Sequence, residues 1–376
     1  MTQKQTIPWV DLIRVVACFL VVLAHCCDPF VAQFDANRTD FLSGAFWGSA
    51  LRVSVPLFMM ISGVLLLPVK MDMGQFYRRR LSRVAIPLAI WSVITPLLFY
   101  LYLNFGVQTL SLNIAMADHT WQATLTKMWS WVFNFNYDTT PLWYIYMLVG
   151  LYLFMPIISS WMEQASKRDI QYFLAIWLIT LCLPYLQILA PELGYTGNYG
   201  NMGLLGVCDW NPYGMLYNFS GFLGYIVLAY YLMRFPLEWS WRKTWMVAVP
   251  MMVVGYAITL GGFLVTQKYF PGNYAALEIV WYFSGINVFM MTFAVYIVLS
   301  RVKLPPLPWL RQVASLTFGV YLCHFIFVLM GYDMIYGQLE LPAWLLIPLN
   351  AIIAFGCALL FTWVLNKIPY LRRMVS

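Results

Sequence analysis

Apolar segments of about 20 residues recur along the whole chain, and they restrict it to one class of fold. A helix needs about 20 apolar residues to cross the hydrocarbon core of a bilayer. Hydrophobic residues make up 62% of the 376 residues and charged residues 10%, whereas a soluble domain has about 25% charged residues. We therefore expect an all-α, polytopic membrane protein, a bundle of about ten transmembrane helices that forms one integral-membrane domain over residues 1–376. The predicted spans lie near residues 9–30, 46–67, 84–103, 142–162, 170–189, 213–233, 244–266, 278–300, 313–332 and 343–365.

Lysine and arginine residues are concentrated on one side of these spans. Of the 22 Lys and Arg residues, 17 fall in the two termini and the even-numbered connections, and three fall in the odd-numbered connections. By the positive-inside rule, both termini are predicted to be cytoplasmic. The net charge of +7 then faces the cytoplasm and the lipid headgroups, so we expect membrane lipids and not nucleic acid as its partner. The first apolar segment has no small-residue cleavage site, which indicates a retained span and not a signal peptide.

The first span, DLIRVVACFLVVLAH from Asp11 to His25, carries polar groups that are rare in lipid and usually functional there. Arg14 and His25 lie about three helical turns plus 20° apart, so their side chains share one face at a separation of about 16 Å. Asp11 lies one turn before Arg14 and extends this polar face. The alternative is that Arg14 reaches the lipid interface and that His25 is a hydrogen-bonded core residue. The continuity of the polar face favours a functional role for all three residues.

A second histidine, His324 in the ninth predicted span, lies at a depth similar to that of His25, in the predicted outer half of the bilayer. Two imidazoles at one depth can meet where their helices pack together. Because imidazole is the usual general base for a hydroxyl at neutral pH, we expect His25 to be catalytic and His324 to be its partner. The acidic residues predicted on the outer side, any of which could orient an imidazole, are Asp138, Asp209, Asp333 and Glu340.

The seven cysteines and three histidines are scattered along the chain, and the cysteines have no CxxC spacing. Such a distribution indicates neither a disulfide framework nor a metal site. We expect no metal and no permanently bound cofactor.

Two long connections on the predicted outer side differ from the others in composition. Residues 104–140 are rich in aromatic residues and amides, and residues 190–212 are rich in Gly, Asn and Tyr. Long loops of this kind are often functional, and aromatic side chains beside Asn and Asp suit a sugar. An interfacial belt of aromatic residues would have the same composition, so both interpretations stay open.

Further polar candidates lie near the ends of the second and third spans. Arg80 and Arg83, in FYRRRLSR, are one helical turn apart and suited to binding phosphate. A cluster that only fixes topology and contacts anionic lipid would look the same. Arg52 opens the second span and is a candidate for binding the acceptor or a headgroup. Ser62, followed by Gly63, is a weaker candidate nucleophile at a position that permits close helix packing.

These groups describe a path through the membrane. Phosphate-binding arginines lie at the predicted cytoplasmic end, Arg14 lies in the inner half and the imidazoles lie in the outer half. A coenzyme A thioester has a matching shape, because its polyphosphate head carries a thin arm of about the Arg14–His25 separation. The residues therefore predict acyl-CoA as a co-substrate.

Five stretches of the sequence resemble the acyltransferase 3 family of integral-membrane acyltransferases, in the family's order and over most of the chain. They are the Arg14–His25 pair preceded by Asp11, RVSVPLFMMISGVLL at 52–66, the Arg80-x-x-Arg83 pair, PLWYIYMLVGLYLFMP at 141–156, and SLTFGVYLCH at 315–324. The chain is most similar to the stand-alone sugar O-acetyltransferases. Trp143 and Tyr144 in the fourth stretch are candidates for an acceptor contact or a structural role. Pro141 departs from the pattern of many relatives, which have a histidine at this position.

The resemblance implies that His25 and Arg14 are essential and that Arg80 and Arg83 bind the donor. It also implies transfer from cytoplasmic acyl-CoA to a hydroxyl of a cell-surface glycan or lipid-linked sugar. We therefore expect a multi-pass O-acetyltransferase of the bacterial cytoplasmic (inner) membrane with acetyl-CoA as co-substrate. Either His25 deprotonates the acceptor hydroxyl or it takes the acyl group itself, and the donor is acetyl-CoA or succinyl-CoA. The alternatives are a secondary transporter or flippase of an anionic or sugar-linked substrate, and a non-enzymatic membrane sensor.

Overall fold

The computed structural model describes residues 7–34, 36–106, 108–195, 204–208, 210–271 and 279–375. The structure is 78% helical, and the residues it describes contain no β-strand, which confirms the all-α prediction. The helices, numbered in chain order, are α1 (Pro8–Val31), α2 (Arg38–Ala50), α3 (Ser54–Leu66), α4 (Met73–Phe105), α5 (Trp121–Ser130), α6 (Trp143–Gln164), α7 (Lys167–Thr180), α8 (Leu183–Glu192), α9 (Leu223–Arg234), α10 (Trp241–Tyr269), α11 (Ile286–Leu299), α12 (Pro308–Ile335) and α13 (Ala343–Lys367).

Within the described ranges, nine helical segments are long and apolar enough to cross a membrane, which confirms the polytopic class. The sixth predicted span, 213–233, is not one continuous helix. A 3-10 helix, Gly214–Phe219, is followed by Gly221 at φ +80° and then by the 12-residue helix α9. A positive φ ends a right-handed helix, and glycine adopts it without steric cost. The orientation of the termini stays a prediction.

The observed helices differ from the predicted spans in three places. Helix α4 begins well before the predicted start at residue 84, because the Asp72 carboxylate accepts a hydrogen bond of 2.9 Å from the backbone N–H of Gln75. The predicted span 46–67 is divided, because a 3-10 helix, Leu51–Val53, separates α2 from α3. The long outer connection 104–140 contains α5 and two 3-10 helices, Met116–His119 and Tyr137–Leu142.

The second long connection, 190–212, is described only in part. Residues 196–203 and Asp209 lie outside the described residues. The predicted sugar-binding role of this connection and the orienting role of Asp209 therefore stay predictions.

The chain divides into two compact units. Unit 1 comprises Met1–Leu51, Lys70–Pro156 and Lys303–Ser376, and unit 2 comprises Arg52–Val69 and Ile157–Val302. The expectation of a single domain stays a prediction.

Helix α12 forms the core of unit 1. Its most apolar window is 72% buried, the highest value among the nine candidate spans, and it packs against α1, α4 and α13. Pro8 of α1 and Pro308 of α12 stand in the first turn of their helices, where a missing N–H leaves no hydrogen bond unmade. The packing of α1 against α12 is the contact that positions the candidate site.

Unit 2 is built on two packed pairs, α3 with α9 and α10 with α11. Gly63 lies against the backbone of α9, where an added Cβ would be 2.5 Å from the carbonyl oxygen of Ile226. This contact confirms that the Ser62-Gly63 step permits close approach of two helix backbones.

Candidate active site

The packing of α1 against α12 brings the two predicted histidines together. The ring centroids of His25 and His324 are 5.3 Å apart, and the ring planes are inclined at 42°. The two imidazoles therefore meet, and their catalytic roles stay predictions. Sequence reasoning could find the pair because both residues stand at comparable depths in long helices of one bundle.

Asp28 orients His25. The Nδ1 atom of His25 lies 2.9 Å from Oδ2 of Asp28, one helical turn further along α1. Because an ionised carboxylate only accepts hydrogen bonds, Nδ1 carries the hydrogen, and Nε2 carries the lone pair of the neutral ring. The arrangement can place a base at Nε2 and stabilise the imidazolium that forms when the base takes a proton.

Asp28 was missed among the acids predicted to orient His25. The i, i+3 spacing on α1 was the available signal. Of the predicted candidates, Asp333 accepts hydrogen bonds from Tyr102, Thr109 and the backbone of Leu110, and Asp138 binds His119 and Lys127. Glu340 is exposed. Since the described contacts of His25 give the orienting position to Asp28, the structure does not assign that position to Asp333, Asp138 or Glu340.

His324 is held differently from His25. Its side chain is fully buried, whereas the His25 side chain is 19% exposed. Its Nδ1 lies 2.7 Å from the backbone carbonyl oxygen of Tyr321, so Nδ1–H donates to that carbonyl. Its Nε2 is buried and has no hydrogen-bond partner among the residues that the structure describes.

Aromatic residues from three segments surround the two histidines. Phe325 packs edge-on against His25 with ring centroids 5.2 Å apart, and Tyr137 packs against Phe325 at 5.9 Å. Tyr144 and Tyr321 pack edge-to-face at 5.5 Å. The Tyr321 hydroxyl donates to the carbonyl of Pro141. This bond gives Pro141 a structural contact at the position where many relatives have a histidine.

The predicted residues Trp143 and Tyr144 lie at the start of α6. Tyr144 is buried and contacts Trp143 edge-on, with ring centroids 6.2 Å apart. Its contact with Tyr321 places it beside the segment of α12 that carries His324. A role for either residue in acceptor binding stays a prediction.

The other end of the site is built around Arg14. The electrostatic neighbours of its guanidinium are Asp11, Tyr144 and Tyr152. Tyr152, on α6, is also an electrostatic neighbour of Arg80 on α4. The Tyr152 phenol therefore lies within electrostatic range of two arginines from different helices. Sequence reasoning missed it because one tyrosine in an apolar motif carries no distinguishing signal.

The two predicted phosphate-binding arginines differ in burial. Arg80 is half-buried, and its Nε is buried with no hydrogen-bond partner in the described part of the chain. Arg83 is exposed. Neither of them, nor Arg14, forms a salt bridge within 4.0 Å with a described residue. Guanidinium groups that form no salt bridge are suited to binding an anion.

Asp11 lies at the wall of a cavity of about 360 Å³ at the beginning of α1 and α12. Arg311, Gln312 and Ser315 also line this cavity, together with proline and leucine side chains. Both Arg14 and Arg311 are electrostatic neighbours of the Asp11 carboxylate. Asp11 therefore belongs to the arginine end of the site and is distant along α1 from His25.

Two predicted candidates belong to unit 2. The Arg52 guanidinium lies 4.0 Å from the centroid of the Trp281 ring, in a cation–π contact. The Ser62 hydroxyl donates a 2.9 Å hydrogen bond to the carbonyl of Phe58, one turn earlier in α3. This bond is typical of a serine within a helix and gives no support to a nucleophilic role.

A second histidine cluster lies in the connection 104–140, which the sequence predicts to be on the outer side. His119 Nε2 is 2.8 Å from Asp138 Oδ1, and the Lys127 ammonium is 2.8 Å from Asp138 Oδ2. His119 Nδ1 lies 3.0 Å from the carbonyl oxygen of Ala115. We call this group the outer cluster. Among the described residues, no group of three or more His, Cys, Asp or Glu residues is arranged to hold a metal ion.

The fold and this site define a polytopic membrane protein with a histidine pair and an arginine-rich end inside one helical unit. Residues 7–367 match the model of the acyltransferase 3 family, described as an acyltransferase domain. The chain belongs to this family, which confirms the resemblance, and it is a membrane acyltransferase.

One curated relative and the absence of a structural match complete the comparison. The chain is 23% identical over 372 residues to the Bacillus subtilis (strain 168) protein named "Putative membrane-bound acyltransferase YfiQ", with 96% of this chain and 91% of that protein covered. No solved structure matches the chain.

Proposed function

We propose that the protein is an O-acetyltransferase of the bacterial cytoplasmic membrane. It transfers the acetyl group of cytoplasmic acetyl-CoA to a hydroxyl of a cell-surface glycan or lipid-linked sugar. The observation that carries this proposal is the His25–Asp28 pair, whose 2.9 Å contact directs the lone pair of His25 to Nε2 beside a second buried imidazole.

The acceptor hydroxyl reacts at His25. Nε2 takes the proton of the hydroxyl, the oxygen attacks the thioester carbonyl carbon, and the carbon–sulfur bond breaks to release the coenzyme A thiolate. The Asp28 carboxylate stabilises the imidazolium that this step creates. A covalent route, in which Nε2 first attacks the thioester and carries the acetyl group, uses the same lone pair. Both routes use Nε2 of His25 and require the same contact of His25 with Asp28.

The donor extends from the arginine end towards the histidine pair. Arg80 and Arg83 bind its phosphates, and Arg14 steadies the arm or polarises the region of the thioester. The lack of salt-bridge partners for these three arginines among the described residues supports this role. The predicted Arg14–His25 separation of about 16 Å is comparable to the length of the arm.

Exposed aromatic side chains of the outer connection support a sugar as the acceptor. Trp121, Trp129, Phe133 and Tyr137 are all exposed. A sugar offers apolar ring faces to such side chains and hydroxyl groups to neighbouring polar atoms. Residues of this type also occupy membrane interfaces, where a lipid-linked or surface glycan is found.

Transfer from radiolabelled acetyl-CoA in purified membranes tests the proposal. We expect label to enter the glycan fraction with the wild type and with Ser62→Ala, the matched control, but not with His25→Ala or Arg14→Ala. Equal labelling by wild type and His25→Ala would contradict the role of His25. Label that enters only from succinyl-CoA would reassign the donor, and substrate movement without donor consumption would favour the transporter.

A further inference from the structure

His324 is a buried acceptor whose tautomer is fixed by its surroundings. Nδ1–H donates to the Tyr321 carbonyl at 2.7 Å, so the lone pair of the neutral ring lies on Nε2. Nε2 is buried without a hydrogen-bond donor among the described residues. Buried acceptors in native proteins are almost always satisfied, so this nitrogen needs an explanation.

The neighbouring side chains do not supply the missing donor. The Tyr321 hydroxyl donates to the Pro141 carbonyl. The Nδ1–H of His25 is directed at Asp28. Phe325, which packs against His25, has no polar hydrogen to offer. A hydroxyl group of a bound acceptor is a donor of the kind that Nε2 of His324 lacks.

His324 is poorly suited to being the base itself. A base becomes positively charged, and a fully buried imidazole with only a carbonyl partner has nothing to compensate that charge. His25 has the Asp28 carboxylate and partial exposure. The ring centroids of the two imidazoles are 5.3 Å apart. His25 therefore takes a proton, and His324 accepts a hydrogen bond and stays neutral.

We propose that His324 is a positioning residue that selects acceptors with two neighbouring hydroxyls, because its Nε2 accepts the O–H of one hydroxyl while His25 deprotonates the other. One hydroxyl cannot serve both nitrogens, since it has a single hydrogen. Adjacent ring hydroxyls of a sugar present two donors close enough to reach two imidazoles in contact. The inference rests on the proposed O-acyl transfer and adds the chemical class of the acceptor, a vicinal diol.

The test uses two small acceptors that differ by one hydroxyl, cyclohexane-1,2-diol and cyclohexanol, with radiolabelled acetyl-CoA and the full-length protein in membranes. The wild type is expected to prefer the diol by at least about tenfold in kcat/KM, since a site built to bind a hydroxyl discriminates strongly against an analogue that lacks it. The preference is expected to fall to the statistical factor of about two in His324→Phe, which keeps a ring but has no acceptor atom. His324→Gln, whose amide oxygen can accept, is expected to keep part of it.

A pH profile separates positioning from base catalysis. The acid limb of kcat/KM is expected to remain in His324→Gln, because that limb belongs to His25. Loss of the limb would overturn the proposal and make His324 the base. An undiminished diol preference in His324→Phe, or no preference in the wild type, would also overturn it.

Controls distinguish this proposal from the proposed function. If the membranes label their own glycan fraction but neither small acceptor, the two-hydroxyl rule is wrong, and O-acyl transfer stands. If no glycan is labelled from any acyl-CoA, the proposed function itself fails. Detergent-solubilised His324→Phe is compared with the wild type by thermal unfolding, so that loss of the fold is not read as loss of selectivity.

Discussion

The two histidine clusters of unit 1 each pair an imidazole with a carboxylate, and they differ in whether every histidine nitrogen has a partner. In the outer cluster, every ring nitrogen of His119 has a partner, and the Asp138 carboxylate receives the Lys127 ammonium at 2.8 and 3.0 Å. In the pair formed by His25 and His324, which we call the inner pair because it lies within the helices of unit 1, His324 has a buried nitrogen with no partner among the described residues. The outer cluster is complete without a ligand, and the inner pair is not.

This difference favours a structural role for the outer cluster and a chemical role for the pair of His25 and His324. Buried charges stabilise a fold only when they are paired and hydrogen-bonded, which the outer cluster achieves with Lys127 against Asp138. An unsatisfied buried acceptor destabilises the fold, and at His324 we assign it to binding of the acceptor. Burial of the histidines does not distinguish the two clusters, because His119 and His324 are both 2% exposed or less.

The two clusters are connected by aromatic packing. The Phe99 ring stacks on His119 with centroids 6.0 Å apart and packs against Phe325 at 5.8 Å. Phe325 in turn lies against His25. The outer cluster therefore supports the aromatic side chains that pack against His25.

Removal of the imidazole at His25 gives the largest expected effect. In His25→Ala, kcat is expected to fall about 10³-fold or more, because general acid–base catalysis contributes about 10²–10⁴-fold and the alternative nucleophilic role is lost with the same atom. Thermal unfolding in detergent is expected to change little, since His25 is partly exposed. Unaltered kcat in a folded variant would remove His25 from the mechanism.

Breaking the outer cluster is expected to affect stability instead. Lys127→Met leaves Asp138, whose side chain is 1% exposed, without its cation, and removal of one partner of a buried pair costs about 3–5 kcal/mol. The midpoint of thermal or denaturant unfolding is the measurement, and Gln122→Ala, an exposed position on the same helix α5, is the matched control. If Lys127→Met folded normally and lost kcat as His25→Ala does, the structural role of the outer cluster would be contradicted.

Replacement of Asp28 tests the orientation of His25. In Asp28→Asn the amide can donate to Nδ1, which would move the hydrogen to Nε2 and remove the lone pair from the reacting position. We expect kcat to fall about 10²-fold with little change in the KM for acetyl-CoA. Asp118→Asn, at an exposed acid of the outer connection, is the control. Equal kcat for Asp28→Asn and wild type would reduce Asp28 to a surface contact.

The sequence predicted the class of fold and the meeting of His25 with His324, because both follow from apolar length and from depth along a helix. It did not predict Asp28 as the orienting acid, although the i, i+3 spacing was present. It also did not predict that Tyr152 lies within electrostatic range of both Arg14 and Arg80, since this proximity depends on how α1, α4 and α6 pack. The break at Gly221 was missed because hydropathy is averaged over a window of residues. One residue with a positive φ does not change that average enough to be seen.

Arg80 extends the comparison to the other end of the site, because it too has a buried polar atom without a partner among the described residues. If such atoms mark the positions where substrate binds, Arg80→Gln should raise the KM for acetyl-CoA about tenfold with little change in kcat, the loss expected for one charge-assisted hydrogen bond to a phosphate. Arg79→Gln, at the neighbouring exposed arginine, should leave the KM within about twofold, because one exposed cation contributes little at physiological salt. Equal effects of the two substitutions would instead favour a basic cluster that contacts anionic lipid, and the unpartnered Nε of Arg80 would then have no link to the donor.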